Sequence, residues 1–173
     1  DENSIQEMHV DHEGGLWLIT NKGLARFAGG KFEKYQHADG LTDDAVQRML
    51  IDKEGSIWIS TFGGGVERFR DEKFVTYSSK VGLNYDNVQP VIEDGSGAIW
   101  IGTTFGGVSR LVNGAFTVFD TRSGLPSSSV RALADDGEGN IWIGTTRGVC
   151  TYSHGAIVVR SKQTDGVPDI TGT

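Results

Sequence analysis

The segment Asp94-Gly95-Ser96-Gly97-Ala98-Ile99-Trp100-Ile101-Gly102-Thr103 carries the pattern that decides the fold. An aspartate opens it, a glycine follows three positions later, and a tryptophan stands between two isoleucines, three residues before a threonine. The same pattern recurs along the whole chain, with tryptophans spaced by 41, 42 and 42 residues. A fixed period in this range indicates an array of supersecondary units. The repeat-locked positions are Asp11, Asp52, Asp94, Asp136, Trp17, Trp58, Trp100 and Trp142.

Each copy of the repeat predicts four short strands. In the second copy we expect strands over 46–51, 57–61, 66–69 and 74–77, followed by a segment, 78–87, that crosses to the next unit. Aspartate at the first and glycine at the fourth position of 52–55 favour a tight turn between the first two strands. The second strand is a continuous apolar run, as expected for a strand covered on both faces.

A helix is the competing prediction for the first strand, because residues 42–50 resemble a capped helix start. The aligned segment of the third copy, 87–92, contains Pro90 where a helix would need an intact interior. Proline is tolerated on an edge strand, and an innermost strand facing a central channel is such an edge. We therefore predict a strand.

Four antiparallel strands in each unit of about 42 residues are typical of a β-propeller blade. The predicted fold class is all-β, a β-propeller built from four repeats, each a four-stranded antiparallel blade. The predicted blades cover about 1–39, 40–81, 82–123 and 124–165 of the single domain 1–173, and 166–173 start a further crossover. The 25 glycines among 173 residues fit the many turns of such a fold.

Composition excludes several kinds of partner. The chain has 23 acidic and 16 basic residues and a net charge of −7, without the basic stripe that binding to nucleic acid requires. No apolar run approaches the roughly 18 residues of a membrane span, so we expect no membrane insertion. The single cysteine, Cys150, is predicted to be a small filler residue within a strand.

The repeat resembles that of the two-component regulator propeller family. The resemblance rests on Gly82-Leu83, Val88, the segment 94–103 and Gly106-Gly107-Val108-Ser109-Arg110, and it extends over essentially the whole chain. It implies the ligand-sensing, extracytoplasmic or periplasmic part of a hybrid sensor kinase. Such sensors are longer and usually contain seven-bladed propellers, a further β-sandwich, a membrane helix and a kinase.

Binding residues are expected in the loops at one end of the blades, which are the turns between second and third strands and the crossovers. Exposed aromatic rings beside amides there would suit stacking on sugar rings, so the predicted ligand is a saccharide or a peptide. The repeat-locked tryptophans are expected to pack between blades, and Arg26, Arg68 and Arg110 to form inter-blade bonds to a turn aspartate. The candidate ligand-binding residues are Phe62, Phe105, Tyr85, Asn84, Asn87, Arg147 and Asn21.

We predict no catalytic residue, no metal and no cofactor. Asp136-Gly137-Glu138-Gly139-Asn140 is similar to the start of a calcium loop, but the spacing favours a hairpin turn. The four histidines, His9, His12, His37 and His154, share no ligand spacing. The favoured function is a non-enzymatic module for ligand binding or protein interaction. The alternatives are a propeller enzyme similar to the streptogramin lyases, and a structural or engineered fragment without its own ligand.

Four blades would leave an apolar face uncovered at each end of an open arc, which exceeds what a soluble monomer ordinarily exposes. Three arrangements would cover the two faces. Two chains could join into an eight-bladed ring, the four blades could close on themselves, or further blades could follow in a longer chain. Self-association or additional blades are therefore the expected partners.

Overall fold

The computed structural model describes residues 4–42 and 45–160, which form strands and short connections. The predicted crossover at 166–173 lies outside the described residues. Within the described ranges the strands are β1 (Ile5–Val10), β2 (Leu16–Thr20), β3 (Gly23–Ala28), β4 (Lys31–Tyr35), β5 (Val46–Ile51), β6 (Ile57–Thr61), β7 (Val66–Arg70), β8 (Lys73–Tyr77), β9 (Val88–Glu93), β10 (Ile99–Thr103), β11 (Val108–Val112), β12 (Ala115–Phe119), β13 (Val130–Asp135), β14 (Ile141–Thr145), β15 (Gly148–Ser153) and β16 (Ala156–Arg160).

Successive groups of four strands form four separate antiparallel sheets, each in the order of the sequence. The all-β propeller prediction and the number of blades are confirmed. We call the sheets blades 1 to 4. Their first strands, β1, β5, β9 and β13, lie side by side along the inner edge of the array. Three crossovers each contain a short 3₁₀ helix, at His37–Asp39, Ser79–Val81 and Thr121–Ser123.

The predicted strand bounds of the second copy agree with the structure for β5 and β6, whereas β7 and β8 each include one residue more. The segment that resembles a helix start becomes strand β5. Pro90 lies in β9, an edge strand of its sheet, where the register with β10 shifts. The missing N–H therefore costs no ladder hydrogen bond on the inner edge.

The aspartate at the start of the pattern builds the turn between the first two strands. Asp52 Oδ1 accepts the backbone N–H of Glu54 (3.0 Å) and of Ser56 (2.7 Å). Its Oδ2 accepts the indole N–H of Trp58 at 2.7 Å. Equivalent bonds join Asp11 to Trp17 and Asp94 to Trp100, both at 2.8 Å. The pattern is thus a turn that also satisfies a buried indole.

The core lies between blades, because the tryptophan of each of the first three blades packs against the following blade. Trp17 stacks on Tyr35 of its own blade (5.3 Å between centroids) and meets the edge of Phe69 in blade 2 (5.6 Å). Such aromatic pairs add about 0.5–1.5 kcal/mol to the stabilisation from buried area. The second and third inter-blade clusters are centred in the same way on Trp58 and Trp100.

The last blade differs from the others at its outer face. Trp142 is 37% exposed, whereas Trp100 is fully buried. At the other end of the array Ile5, Met8 and Val10 of β1 are exposed. In the described part of the chain, these side chains at the two ends of the array are therefore exposed.

Candidate binding face

The turns between second and third strands lie at the same end of the blades as the crossovers, because neighbouring strands alternate in direction. We call this end the loop face; its described segments are 20–23, 36–42, 61–66, 78–87, 103–108, 120–129 and 145–148. Neighbouring blades are tied together here: the N–H of Gly65 donates to the carbonyl of Asp86 (2.9 Å), and that of Gly107 to Ser128 (2.8 Å).

The repeated threonine holds each turn of the loop face. Thr103 Oγ1 donates to the carbonyl of Gly107 and accepts the N–H of Gly106, both at 3.0 Å. Gly107 has a φ of +90°, and a Cβ there would come within 2.2 Å of the carbonyl oxygen of Phe119. Only glycine fits this position, so the chain between Thr103 and Val108 has a fixed course from which Phe105 projects.

Phe62 lines an open groove of about 380 Å³ between blades 1 and 2. Its side chain is 61% exposed, and its backbone is fixed by a bond from its N–H to the carbonyl of Ala45 (3.1 Å). Of the predicted residues, Asn21 lines the same groove. Gln6, Thr20 and Gln47 also line it, and sequence reasoning missed them because they lie on strands rather than in the loops that break the repeat.

The groove offers hydrogen-bonding groups beside an aromatic ring. Among the described residues, the side-chain amides of Gln6, Asn21 and Gln47 have no hydrogen-bond partner. These amides can therefore form hydrogen bonds with solvent or with a ligand. The Thr20 hydroxyl, in contrast, already donates to the carbonyl of Gly23 (3.0 Å). An aromatic ring surrounded by amides that lack hydrogen-bond partners can bind a molecule that has both an apolar face and hydroxyl or amide groups.

Tyr85 and Phe105 form a second group on the loop face. Their rings meet edge to face with 5.6 Å between centroids, and Phe105 is 67% exposed. Asn84 lies beneath them, where its Nδ2 donates to the carbonyl of Gly106 and its Oδ1 accepts the hydroxyl of Ser109 (2.9 Å). Both ends of the Asn84 amide are thus used within the fold, so this side chain positions the loop.

Asn87 and Arg147 lie elsewhere on the loop face. The backbone carbonyl of Asn87 accepts the N–H of Thr104 at 3.0 Å, and its side-chain Oδ1 is buried without a partner among the described residues. Arg147 is exposed in the β14–β15 turn of blade 4. The structure therefore brings Phe62 together with Asn21, and Tyr85 with Phe105 and Asn84, and places Arg147 in another blade.

A larger groove, of about 470 Å³, lies between blades 1 and 2 at the opposite end. Its two arginines are paired with carboxylates: Arg26 contacts Asp11 (2.7 Å) and Glu13 (2.8 Å), and Arg70 contacts Glu54. Burial alone would raise the pKa of Asp11, but bonds from Arg26, Trp17 and the backbone outweigh it and hold that pKa below its ordinary value. These ion pairs stabilise the turns and leave the loop face as the candidate site.

The repeated arginines do not bridge blades as expected. Arg26 binds Asp11 of its own blade, because its side chain lies across the ring of Trp17, 5.7 Å from the centroid. Arg68 and Arg110 lie in the same way over Trp58 (5.8 Å) and Trp100 (5.6 Å). The inter-blade prediction is therefore wrong, and the arginine is part of a stack within each blade.

The remaining candidate groups are dispersed. His9 binds Glu7 (2.9 Å), His37 Nδ1 lies 2.8 Å from the carbonyl of Leu41, and His154 lies 2.8 Å from the hydroxyl of Ser153. Asp136 Oδ1 accepts the N–H of Glu138 (2.8 Å), as in a hairpin turn. Within 4–42 and 45–160, no group of three or more histidine, cysteine, aspartate or glutamate side chains is arranged to hold a metal ion.

The fold and the loop face together define a β-propeller module whose candidate binding surface is the loop face. The model of the two-component regulator propeller family matches residues 40–63 and 124–147, which confirms the resemblance predicted from the sequence. No curated protein matches the chain significantly.

Solved structures share the fold over nearly the whole chain. The extracellular domain assigned to the hybrid two-component system BT3049 of B. thetaiotaomicron is 25% identical over 96% of this chain, with a TM-score of 0.83. The extracellular domain assigned to the one component system BT4673 of the same organism is 21% identical over 92% of this chain, with a TM-score of 0.77. Virginiamycin B lyase of Staphylococcus aureus is 16% identical over 91%, with a TM-score of 0.74.

This chain spans only 24% and 25% of the two extracellular domains and 55% of the lyase. It resembles the BT3049 extracellular domain in sequence and fold, whereas the likeness to the BT4673 domain and to the lyase is one of fold alone. None of the helices in the described part of the chain has the length and apolar character that crossing a membrane requires.

Proposed function

We propose that the chain is a non-enzymatic ligand-binding part of the extracytoplasmic sensor of a two-component regulator, and that its ligand is a saccharide bound at the loop face. The observation that carries the proposal is the groove in which Phe62 stands beside the amides of Gln6, Asn21 and Gln47. The family and the extracellular sensor domains of similar fold support the sensor role.

The chemistry of the groove favours a saccharide over a charged ligand. A sugar ring has an apolar face, which can stack on an exposed aromatic ring, and hydroxyl groups, which both donate and accept hydrogen bonds. Carboxamides match such hydroxyls because each has donors and an acceptor. Among the described residues, the side chains that line this groove carry no charge.

The fold also supports the assignment to this end of the blades. The turns that carry Phe62 and Phe105 are fixed by glycine, threonine and inter-blade backbone bonds, so a ligand would meet side chains that are already in place. A pre-formed site loses less conformational entropy on binding. The Tyr85–Phe105 pair is a second aromatic surface on the same face, suited to a further unit of an extended ligand.

Binding to an array of oligosaccharides, with a library of short peptides as a parallel arm, tests the proposal. We expect the 173-residue chain to retain a subset of saccharides and the Phe62→Ala variant to lose them. Retention of peptides alone would overturn the saccharide assignment. Failure to bind any member of both the oligosaccharide array and the peptide library would overturn the binding function and favour a structural role.

A further inference from the structure

The second residue of the innermost strand stands outside the regular ladder in every blade. The register between the first and second strands shifts at this point in all four sheets, as it does at a β-bulge. A bulge redirects a side chain relative to regular pairing, and bulges are common beside functional sites. We call these four positions the bulge row; they are Gln6, Gln47, Gln89 and Arg131.

The bulge row continues the Phe62 groove into blades 3 and 4. The innermost strands lie side by side, and each begins at the loop face, so the row follows the inner edge of that face from blade to blade. Gln6 and Gln47 line the groove next to Phe62. Farther along the row, Nη1 of Arg131 donates to Oε1 of Gln89 at 3.2 Å, across the contact between blades 3 and 4.

Arg131 brings a positive charge to a row that is otherwise neutral. Its side chain is exposed, and Gln89 is the hydrogen-bond partner of its guanidinium among the described residues. The arginines that form ion pairs in the described part of the chain are Arg26, Arg70 and Arg122. The guanidinium of Arg131 therefore keeps further N–H donors, in the planar fork arrangement that fits a carboxylate.

Blade 4 has an excess of positive charge toward the loop face. Residues 121–134 and 141–160 contain four arginines and no aspartate or glutamate. The acidic residues of this blade lie at the turn of its opposite end and are Asp135, Asp136 and Glu138. Arg147 lies in the β14–β15 turn, on the loop face itself. In a chain with a net charge of −7, this part of the loop face is therefore suited to attract an anionic group.

We propose that the saccharide bound at the loop face is an acidic oligosaccharide, whose neutral part stacks on Phe62 and whose carboxylate binds Arg131. This inference rests on the proposed function and adds the chemical class of the ligand and a residue that determines specificity. The Phe62 groove has no charged side chain among the described residues, so the acidic sugar is selected farther along the bulge row. Two steps between blades separate Gln47 from Arg131, so the ligand contains several sugar units.

An array that presents acidic oligosaccharides beside their carboxyl-reduced, neutral counterparts tests this proposal with the 173-residue chain. The probes are oligomers of galacturonic, glucuronic and mannuronic acid. We expect the wild type to bind at least one acidic oligomer about tenfold or more tightly than its reduced form, since reduction removes a hydrogen-bonded charge. Arg131→Gln should bind the two forms alike. Glutamine occupies the bulge row in blades 1 to 3, so the variant should fold, which circular dichroism checks.

Arg122→Gln is the matched control, since Arg122 is an exposed arginine whose guanidinium is already bound to Asp120 at 2.6 Å. It should keep the preference for the acidic form. A preference that persists in Arg131→Gln, or that is lost equally in both variants, would overturn the assignment to Arg131. Equal binding of acidic and reduced forms by the wild type would overturn this inference and leave the proposed function standing. Binding of no oligosaccharide would overturn the proposed function itself, and this inference with it.

Discussion

Asp94 accepts the indole N–H of Trp100 at 2.8 Å while its other oxygen holds the turn before the strand, and both side chains are buried. The bond connects the hairpin of one blade to the core between two blades. Removal of the carboxylate leaves a buried donor unsatisfied, which costs about 1–3 kcal/mol. We expect Asp94→Ala to lower the free energy of unfolding by about 2–3 kcal/mol, measured by urea denaturation.

Asp136→Ala is the control, since Asp136 holds the equivalent turn on an exposed blade end. Its loss should cost about 1 kcal/mol or less. Equal losses in the two variants would contradict the role assigned to the buried indole bond.

Acid should weaken the fold through the same carboxylates. Burial alone would raise the pKa of Asp94, but bonds from Ser96, the Trp100 indole and the backbone of Ala98 outweigh it, and the pKa lies below its ordinary value. The stabilisation is therefore complete above the unfolded pKa of about 3.9 and is lost as pH falls through the lower folded pKa. We expect the thermal midpoint to be flat near neutral pH and to fall below about pH 4. The fall should be shallower in Asp94→Ala, and an identical slope in the two proteins would argue against this origin.

Glycine is required at the loop-face turn but not at every hairpin. Gly107 and Gly114 both have a left-handed φ, but an added Cβ meets a backbone carbonyl at 2.2 Å only at Gly107 and nothing within 4 Å at Gly114. Gly114→Ala should therefore cost about 1 kcal/mol, the strain of the conformation. Gly107→Ala should cost about 3 kcal/mol or more, since backbone must move. Comparable thermal shifts in the two variants would show that the close approach to Phe119 is unimportant.

Cys150 should be unreactive in the folded protein. It is fully buried in β15, and desolvation raises the pKa of its thiol to about 11. Thiolate is the reactive form, so little is present at pH 8. We expect less than a tenth of the chains to react with a thiol reagent within the time that denatured protein reacts completely. Fast labelling without denaturant would show that blade 4 opens readily.

Most of the fold can be predicted from the sequence, because the aligned copies of the repeat decide the secondary structure of segments that are ambiguous in one copy. Residues 42–50 alone resemble a helix start, and only the aligned Pro90 decides for a strand. The hydrogen bond between the aspartate and the tryptophan six residues later is not evident from propensities, because it joins a turn to a side chain on the following strand. The arginine was predicted to bind a turn aspartate of another blade, but Arg26 binds Asp11 of its own blade. Strand register decides this, because it places the arginine beside the tryptophan of the same sheet, as with Arg68 and Trp58.

Only part of the candidate site could be predicted from the sequence. Loops that break the repeat point to Phe62 and Asn21, but Gln6 and Gln47 are strand residues that reach the groove through the packing of two blades. Asn84 is of a residue type that suits a ligand contact, but its amide donates a hydrogen bond to the carbonyl of Gly106 and so positions the loop. Such assignments depend on which hydrogen bonds are already satisfied, and this follows from three-dimensional contacts alone.

Titration calorimetry of the saccharide selected from the array measures the central claim most directly. Wild type, Phe62→Ala and Phe32→Ala form the set, since the two phenylalanines are similarly exposed but only Phe62 lines the groove. We predict that Phe62→Ala weakens binding at least tenfold, since an aromatic contact is lost, and that Phe32→Ala binds like wild type. Unchanged affinity in Phe62→Ala, or an equal loss in both variants, would contradict a saccharide site at the loop face.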